Sequence, residues 1–308
     1  MPQLLDKLGR VLLPLLTPFD KDDQVNPRAL ADLVDHVIRS GYCTSLIATG
    51  STGEFYALSP KERTLVLETV KEATAGRVPL IAGTGAASTK ETIVYTQEAE
   101  RLGYDCAMVV VPYYQRATQE GFYQHFRAVA AQTKLPVVLY NVPIFTQVNL
   151  EANTLGRIVR DAPNVLGIKE EAGLNPTQTS EFKLAVDDDF TIFCGDDTMV
   201  LQTFPQGAVG TVSGGAHVIG DLMGEMMELY VAGKVEEASA LYLKTYPLFP
   251  ALVPPGHTNP IPVLKTVVSL TSGIDLGPPR LPSLGATKEE LTAIKPILKS
   301  LGRLPAGA

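Results

Sequence analysis

Apolar residues along this chain gather into short runs, separated by longer stretches in which apolar and polar positions recur with a helical period. The runs are VLLPLL from Val11, TSLIAT from Thr44, PLIAG from Pro79, CAMVVV from Cys106, PVVLYN from Pro136, VLGIK from Val165, TIFCG from Thr191 and AVGTVS from Ala208. Each has the length of a buried strand, and several are rich in the β-branched residues that strands favour. Between them, NPRALADLVDHVIRSG offers Asn26 as an N-cap, Pro27 in the first turn and Gly41 as a stop. SPKERTLVLETV carries Ser59 and Glu62 at capping-box spacing, and STKETIVYTQEAERLG runs from Ser88 to Gly103. Eight strands alternating with helices predict an α/β protein, a closed (β/α)8 TIM barrel rather than an open doubly wound sheet. After Ser213 the pattern is helical near 220–232, 234–248 and 286–301, with Pro254, Pro255 and Gly256 interrupting it. The expected organisation is a barrel over 1–222 and a helical C-terminal region over 223–308.

In such a barrel chemistry collects at the C-terminal ends of the strands. Those ends read GSTGEF, GTGAAS, PYYQR, YNVP, KEEAG, GDDT and SGGAH. Hydroxyls, glycines, tyrosines and one lysine converge there. Side chains alternate along a strand, so Val165, Gly167 and Lys169 share one face while Leu166 and Ile168 share the other. The larger pair suits the interface with the outer helices. Gly167 then leaves space beneath a Lys169 that points into the barrel. An inward amine attacks a ketone to form a Schiff base, whose iminium withdraws electrons from the neighbouring carbon. Freeing an ordinary lysine of its proton at pH 7 costs roughly 4–5 kcal/mol, and burial is expected to remove much of that cost. Tyr140, near the end of the preceding strand, is a candidate proton carrier. The Ser51–Thr52 turn, flanked by glycines, can aim backbone N–H groups at a carboxylate.

Composition narrows the alternatives. The chain has 308 residues, 45% hydrophobic and 19% charged, with a formal charge of −7. That balance suits a soluble cytoplasmic protein and argues against nucleic acid or an anionic membrane as partner. The three cysteines, Cys43, Cys106 and Cys194, are widely spaced and form no CxxC pair, so free buried thiols are expected. Of the four histidines only His217 follows a strand, which makes a metal-dependent barrel enzyme a weak rival. No metal and no cofactor are expected. GTGAAS lacks the third glycine of a dinucleotide fingerprint, and Asp196 and Asp197 fit helix capping better than magnesium.

GSTGE, AGTGA, VPYYQRATQEGFYQHF, YNVP, GIKE, GDD and NPIPVLK, in this order over roughly residues 10 to 270, resemble the dihydrodipicolinate synthase / N-acetylneuraminate lyase family, most closely its synthase branch. The resemblance implies a barrel with a helical C-terminal region, assembled as a homotetramer of two dimers, acting on pyruvate and an aldehyde. It implies that Lys169 forms the Schiff base and that Tyr140 relays protons through the Ser51 hydroxyl to Tyr114 of a neighbouring subunit. Thr52 would hold the pyruvate carboxylate, with Gly195 and Val212 lining the pocket. One position departs: Phe145 stands where synthases carry an arginine for the carboxylate of the aldehyde. A phenyl ring cannot make that bidentate contact, which keeps open a retro-aldol lyase on a 2-keto-3-deoxy sugar acid, 4-hydroxy-2-oxoglutarate or N-acetylneuraminate, as well as a non-catalytic member.

Overall fold

The computed structural model describes residues 3–171 and 173–304. Met1, Pro2, Ala172 of the KEEAG stretch and residues 305–308 lie outside the described residues. All eight runs form strands: β1 Val11–Pro14, β2 Ser45–Ala48, β3 Leu80–Gly83, β4 Cys106–Val110, β5 Val137–Asn141, β6 Val165–Glu170, β7 Thr191–Cys194 and β8 Ala208–Val212. Each pairs in parallel with the next and β8 pairs with β1, closing a TIM barrel. Leu166 and Val209 are partly exposed and every other strand residue is buried. Helices cover the outside and side chains fill the inside, so these strands read as continuous apolar runs rather than alternating ones.

The helices begin where their caps predict. The Asn26 side chain accepts the Ala29 N–H at 3.1 Å to start Pro27–Arg39. Ser59 and Glu62 exchange capping hydrogen bonds at the start of Pro60–Thr74, and Ser88 caps Thr89–Arg101. The link between β7 and β8 differs. It has too few residues for a full crossover helix and holds only 3₁₀ turns around a short helix, Val200–Thr203. The C-terminal stretches form Ala216–Val231, Val235–Thr245 and Lys288–Ser300. The first of these runs across the boundary between 222 and 223 expected to separate the barrel from the helical region. Two further helices, Leu248–Leu252 and Ile261–Ser272, join them. The latter accommodates Pro260 and Pro262 because they fall at its first turn, where no backbone N–H is needed.

A helix at the N-terminus, Gln3–Leu8, changes one expectation. The space at Gly167 is not left open beneath Lys169. A Cβ there would meet Leu4 Cδ2 at 2.9 Å and the Thr191 carbonyl oxygen at 2.8 Å, so Leu4 occupies it. The three cysteines are free, Cys106 and Cys194 buried and Cys43 half-buried, and burial pushes each thiol up to about 12. No described helix is long and apolar enough to cross a membrane.

Candidate active site

Parallel pairing of β5 with β6 sets Tyr140 directly opposite Lys169 at the C-terminal mouth of the barrel. Both are buried, Tyr140 at 5% and Lys169 at 7% exposure. The Lys169 Nζ lies 3.9 Å from the centre of the Tyr140 ring. Lys169 and the Ser51 hydroxyl both face that phenol, and each favours its ionised form against the effect of burial.

Ser51 reaches that phenol because the chain after β2 bends sharply. Thr49 and Glu54 take left-handed backbone angles, with φ of 54° and 55°, on either side of the Ser51–Gly53 3₁₀ turn. Such angles are uncommon outside glycine and persist only where the surroundings impose them. Here the restraints are visible. The Thr49 hydroxyl donates to the Gly83 carbonyl at 2.9 Å. Glu54, fully buried, pairs with the equally buried Lys265 at 2.9 Å and accepts the Arg280 N–H at 2.9 Å. A carboxylate from the GSTGEF turn is thus anchored to the helix Ile261–Ser272, and Ser51 and Thr52 are held at the mouth beside Lys169, Tyr140 and Val212.

Gly195 is required for close approach. A Cβ there would sit 2.7 Å from Lys169 Cε and 2.9 Å from Glu171 Oε2. Asp196 caps the turn that follows, accepting the Thr198 N–H at 2.8 Å. Asp197 accepts the Gly215 N–H at 2.9 Å, and its second oxygen is buried without a partner among the described residues. On the opposite face of β6, Glu170 accepts a hydrogen bond from Asn141 at 2.9 Å, which ties the ends of β5 and β6 together.

The electrostatics correct one expectation. Burial alone would lower the Lys169 pKa, but Tyr140, Glu171 and Asp197 around the amine outweigh it and raise the pKa above the ordinary lysine value. Enclosure therefore does not leave the resting amine uncharged, because the enclosure is lined with groups that favour the ammonium. Burial also raises the Tyr140 pKa, with Lys169 opposing, so the phenol keeps its proton. Glu171 is pushed up to about 8 by burial, with Lys169 pulling it down and Asp196 and Asp197 pushing it up. Asp197 is pushed up to about 6, chiefly by burial.

Six of the eight residues singled out from the sequence gather around the mouth: Lys169, Tyr140, Ser51, Thr52, Gly195 and Val212. Phe145 stands farther out, 44% exposed, in the wall of a cavity of about 870 Å³ that also touches Ser51. Tyr114 is 95% exposed, with a left-handed φ of 76°, and lines neither cavity of its own chain. Glu171, the unpartnered Asp197 oxygen and the Glu54–Lys265 pair were not singled out from the residue pattern. The signals available were a second carboxylate after Lys169 and the lysine of NPIPVLK.

Comparison with known proteins fits this geometry. The family model described as the dihydrodipicolinate synthetase family matches residues 7–301. The 4-hydroxy-tetrahydrodipicolinate synthase of Desulforudis audaxviator is 40% identical over 291 residues, 94% of this chain and 97% of that one. The synthase of Bacillus subtilis is 39% identical over 95% of this chain and 99% of its own. Among solved structures, the enzyme of Cyanidioschyzon merolae with lysine bound superposes with a TM-score of 0.91 at 34% identity, covering 96% of this chain and 99% of that chain. The Acinetobacter baumannii enzyme complexed with pyruvate gives 0.89 at 33% identity, over 96% and 100%. With a barrel, a buried lysine–tyrosine pair and matches over nearly its whole length, the chain belongs to the dihydrodipicolinate synthetase family.

Proposed function

We propose that this protein is a pyruvate-dependent class I lyase, a cytoplasmic enzyme of the 4-hydroxy-tetrahydrodipicolinate synthase type. The observation that carries this is the buried Lys169 amine 3.9 Å from the ring of Tyr140, in a mouth that Ser51 and Thr52 also line. Lys169 attacks the keto carbon of pyruvate, and loss of water leaves an iminium. The iminium draws electrons from the methyl carbon, which loses a proton to become an enamine nucleophile. That carbon adds to an aldehyde such as aspartate semialdehyde, or in reverse an aldol is cleaved. Tyr140 moves the protons, Ser51 orients its phenol, and Tyr114 of a neighbouring copy in a homotetramer completes the relay. Thr52 and the backbone N–H groups of its turn receive the pyruvate carboxylate. Gly195 and Val212 leave room for it.

Phe145 favours a second reading of the electrophile. The residues lining the 870 Å³ cavity include no lysine or arginine, and its histidine, His257, is paired with Glu290 at 2.9 Å. A carboxylate on the aldehyde finds no guanidinium there, whereas the hydroxyls of Thr258 and Ser283 suit a hydroxylated, uncharged tail. That arrangement suits cleavage of a 2-keto-3-deoxy sugar acid. Parallel assays of pyruvate consumption with aspartate semialdehyde and pyruvate release from such a sugar acid test both directions. Phe145→Arg is expected to raise condensation with the semialdehyde at least tenfold over wild type. A protein that neither consumes nor releases pyruvate with any of these substrates would sink the lyase assignment.

A further inference from the structure

Lys169 must lose a proton before its nitrogen can attack a carbonyl, yet its surroundings favour the charged form. Tyr140 is not the first acceptor, since its buried phenol keeps its own proton. Glu171 is placed differently. It lies two residues beyond Lys169, so both side chains project from the same face of the chain at the end of β6. Its backbone N–H still donates to the Asn141 carbonyl at 3.2 Å, which extends the strand geometry past Glu170. The two side chains flank one point above Gly195, Lys169 Cε at 2.7 Å and Glu171 Oε2 at 2.9 Å from where a Cβ would stand. That absent Cβ lets the Lys169 stem and the Glu171 carboxylate converge, while the amine and the carboxylate form no ion pair in the resting chain.

We infer that Glu171 accepts the Lys169 proton when the Schiff base forms and returns it to the departing hydroxyl. This rests on the lyase reading above. In the first step the Lys169 side chain turns on its flexible stem toward Glu171, and Lys169–NH3⁺ passes H⁺ to the carboxylate, leaving the free amine and a carboxylic acid. The amine adds to the keto carbon, and one of its protons moves to the carbonyl oxygen, giving a neutral carbinolamine. Glu171 then protonates that hydroxyl, water leaves, and the nitrogen lone pair completes the iminium. Charge balances, since one ammonium becomes one iminium and Glu171 ends ionised as it began.

The charged and titratable groups facing Glu171 are Lys169 on its own strand, Asp196 and Asp197 beyond β7, and the Cys194 thiol of β7. Tyr140 of β5 reaches the same amine, and Glu170 adds its charge from the neighbouring position. Because Glu171 sits near 8, its proton-accepting form grows as pH rises through that value.

The test is the initial rate of borohydride-trapped pyruvate adduct, measured by intact mass on the full-length protein from pH 6 to 10. Wild type is expected to show a rising limb with a midpoint near 8. Glu171→Gln should lose that limb and fall at least tenfold in trapping rate at pH 8.5, with the KM for pyruvate within about twofold. Glu171→Asp, which keeps a carboxylate, should retain a limb, and thermal melting checks that both variants are folded. A folded Glu171→Gln with the wild-type rate and midpoint overturns the inference, as does a folded Glu171→Asp that behaves like the glutamine variant. Absence of any Lys169 adduct in wild type is the separate failure of the lyase reading itself.

Discussion

A lysine that rests as an ammonium is reactive only if the groups that hold its proton can also take it away. Around Lys169 those groups are a phenol beside it and carboxyls whose own pKa values are raised, Glu171 to about 8 and Asp197 to about 6. Burial gives Tyr140 the opposite assignment, a proton kept for donation. Tyr140→Phe should therefore leave the Schiff base able to form but slow the steps that follow. A fall in kcat of about 10²–10⁴-fold is expected, the usual range for losing a positioned acid–base group. Pre-steady-state trapping would separate adduct formation from turnover; an unchanged kcat would remove Tyr140 from the mechanism. At this scale the sequence showed Lys169 and Tyr140 because each ends an apolar run. It did not show Glu171 acting with Lys169, because their approach depends on Gly195 of the next strand end. No local pattern encodes that neighbour.

The elements that carry these residues were legible to different degrees. All eight strands could be located, since a strand buried on both faces leaves a continuous apolar run. Capped helices were legible through Asn26, Ser59 and Ser88. The helix Gln3–Leu8 was not, being short and stabilised by where Leu4 inserts rather than by its own pattern. Ile261–Ser272 was hidden by prolines that a helix tolerates only at its start. That helix matters beyond its own packing, because Lys265 holds Glu54 and, through it, the turn bearing Ser51 and Thr52. Lys265→Met would strand a fully buried carboxylate and should cost about 3–5 kcal/mol of stability. Adding Glu54→Leu should recover much of that loss while leaving catalysis impaired. Chemical denaturation of the single and double variants measures it, and a single-variant loss below about 1 kcal/mol would mean the pair is not what anchors the turn.

At the scale of the whole molecule, the barrel closes a ring so that residues far apart in sequence meet at one mouth. Ser51 follows β2, Tyr140 lies near the end of β5, Lys169 lies on β6 and Gly195 follows β7. Only the closed register brings them within contact. The exposed Tyr114, with its left-handed backbone, lines neither cavity of its own chain. Every step of the proposed chemistry depends on a covalent bond between Lys169 and the keto carbon of pyruvate. Incubation with pyruvate and borohydride followed by peptide mapping tests it most directly. The reduced three-carbon adduct should appear on the peptide bearing Lys169 and be absent from Lys169→Ala, whereas no adduct, or one on a different lysine, would contradict the account.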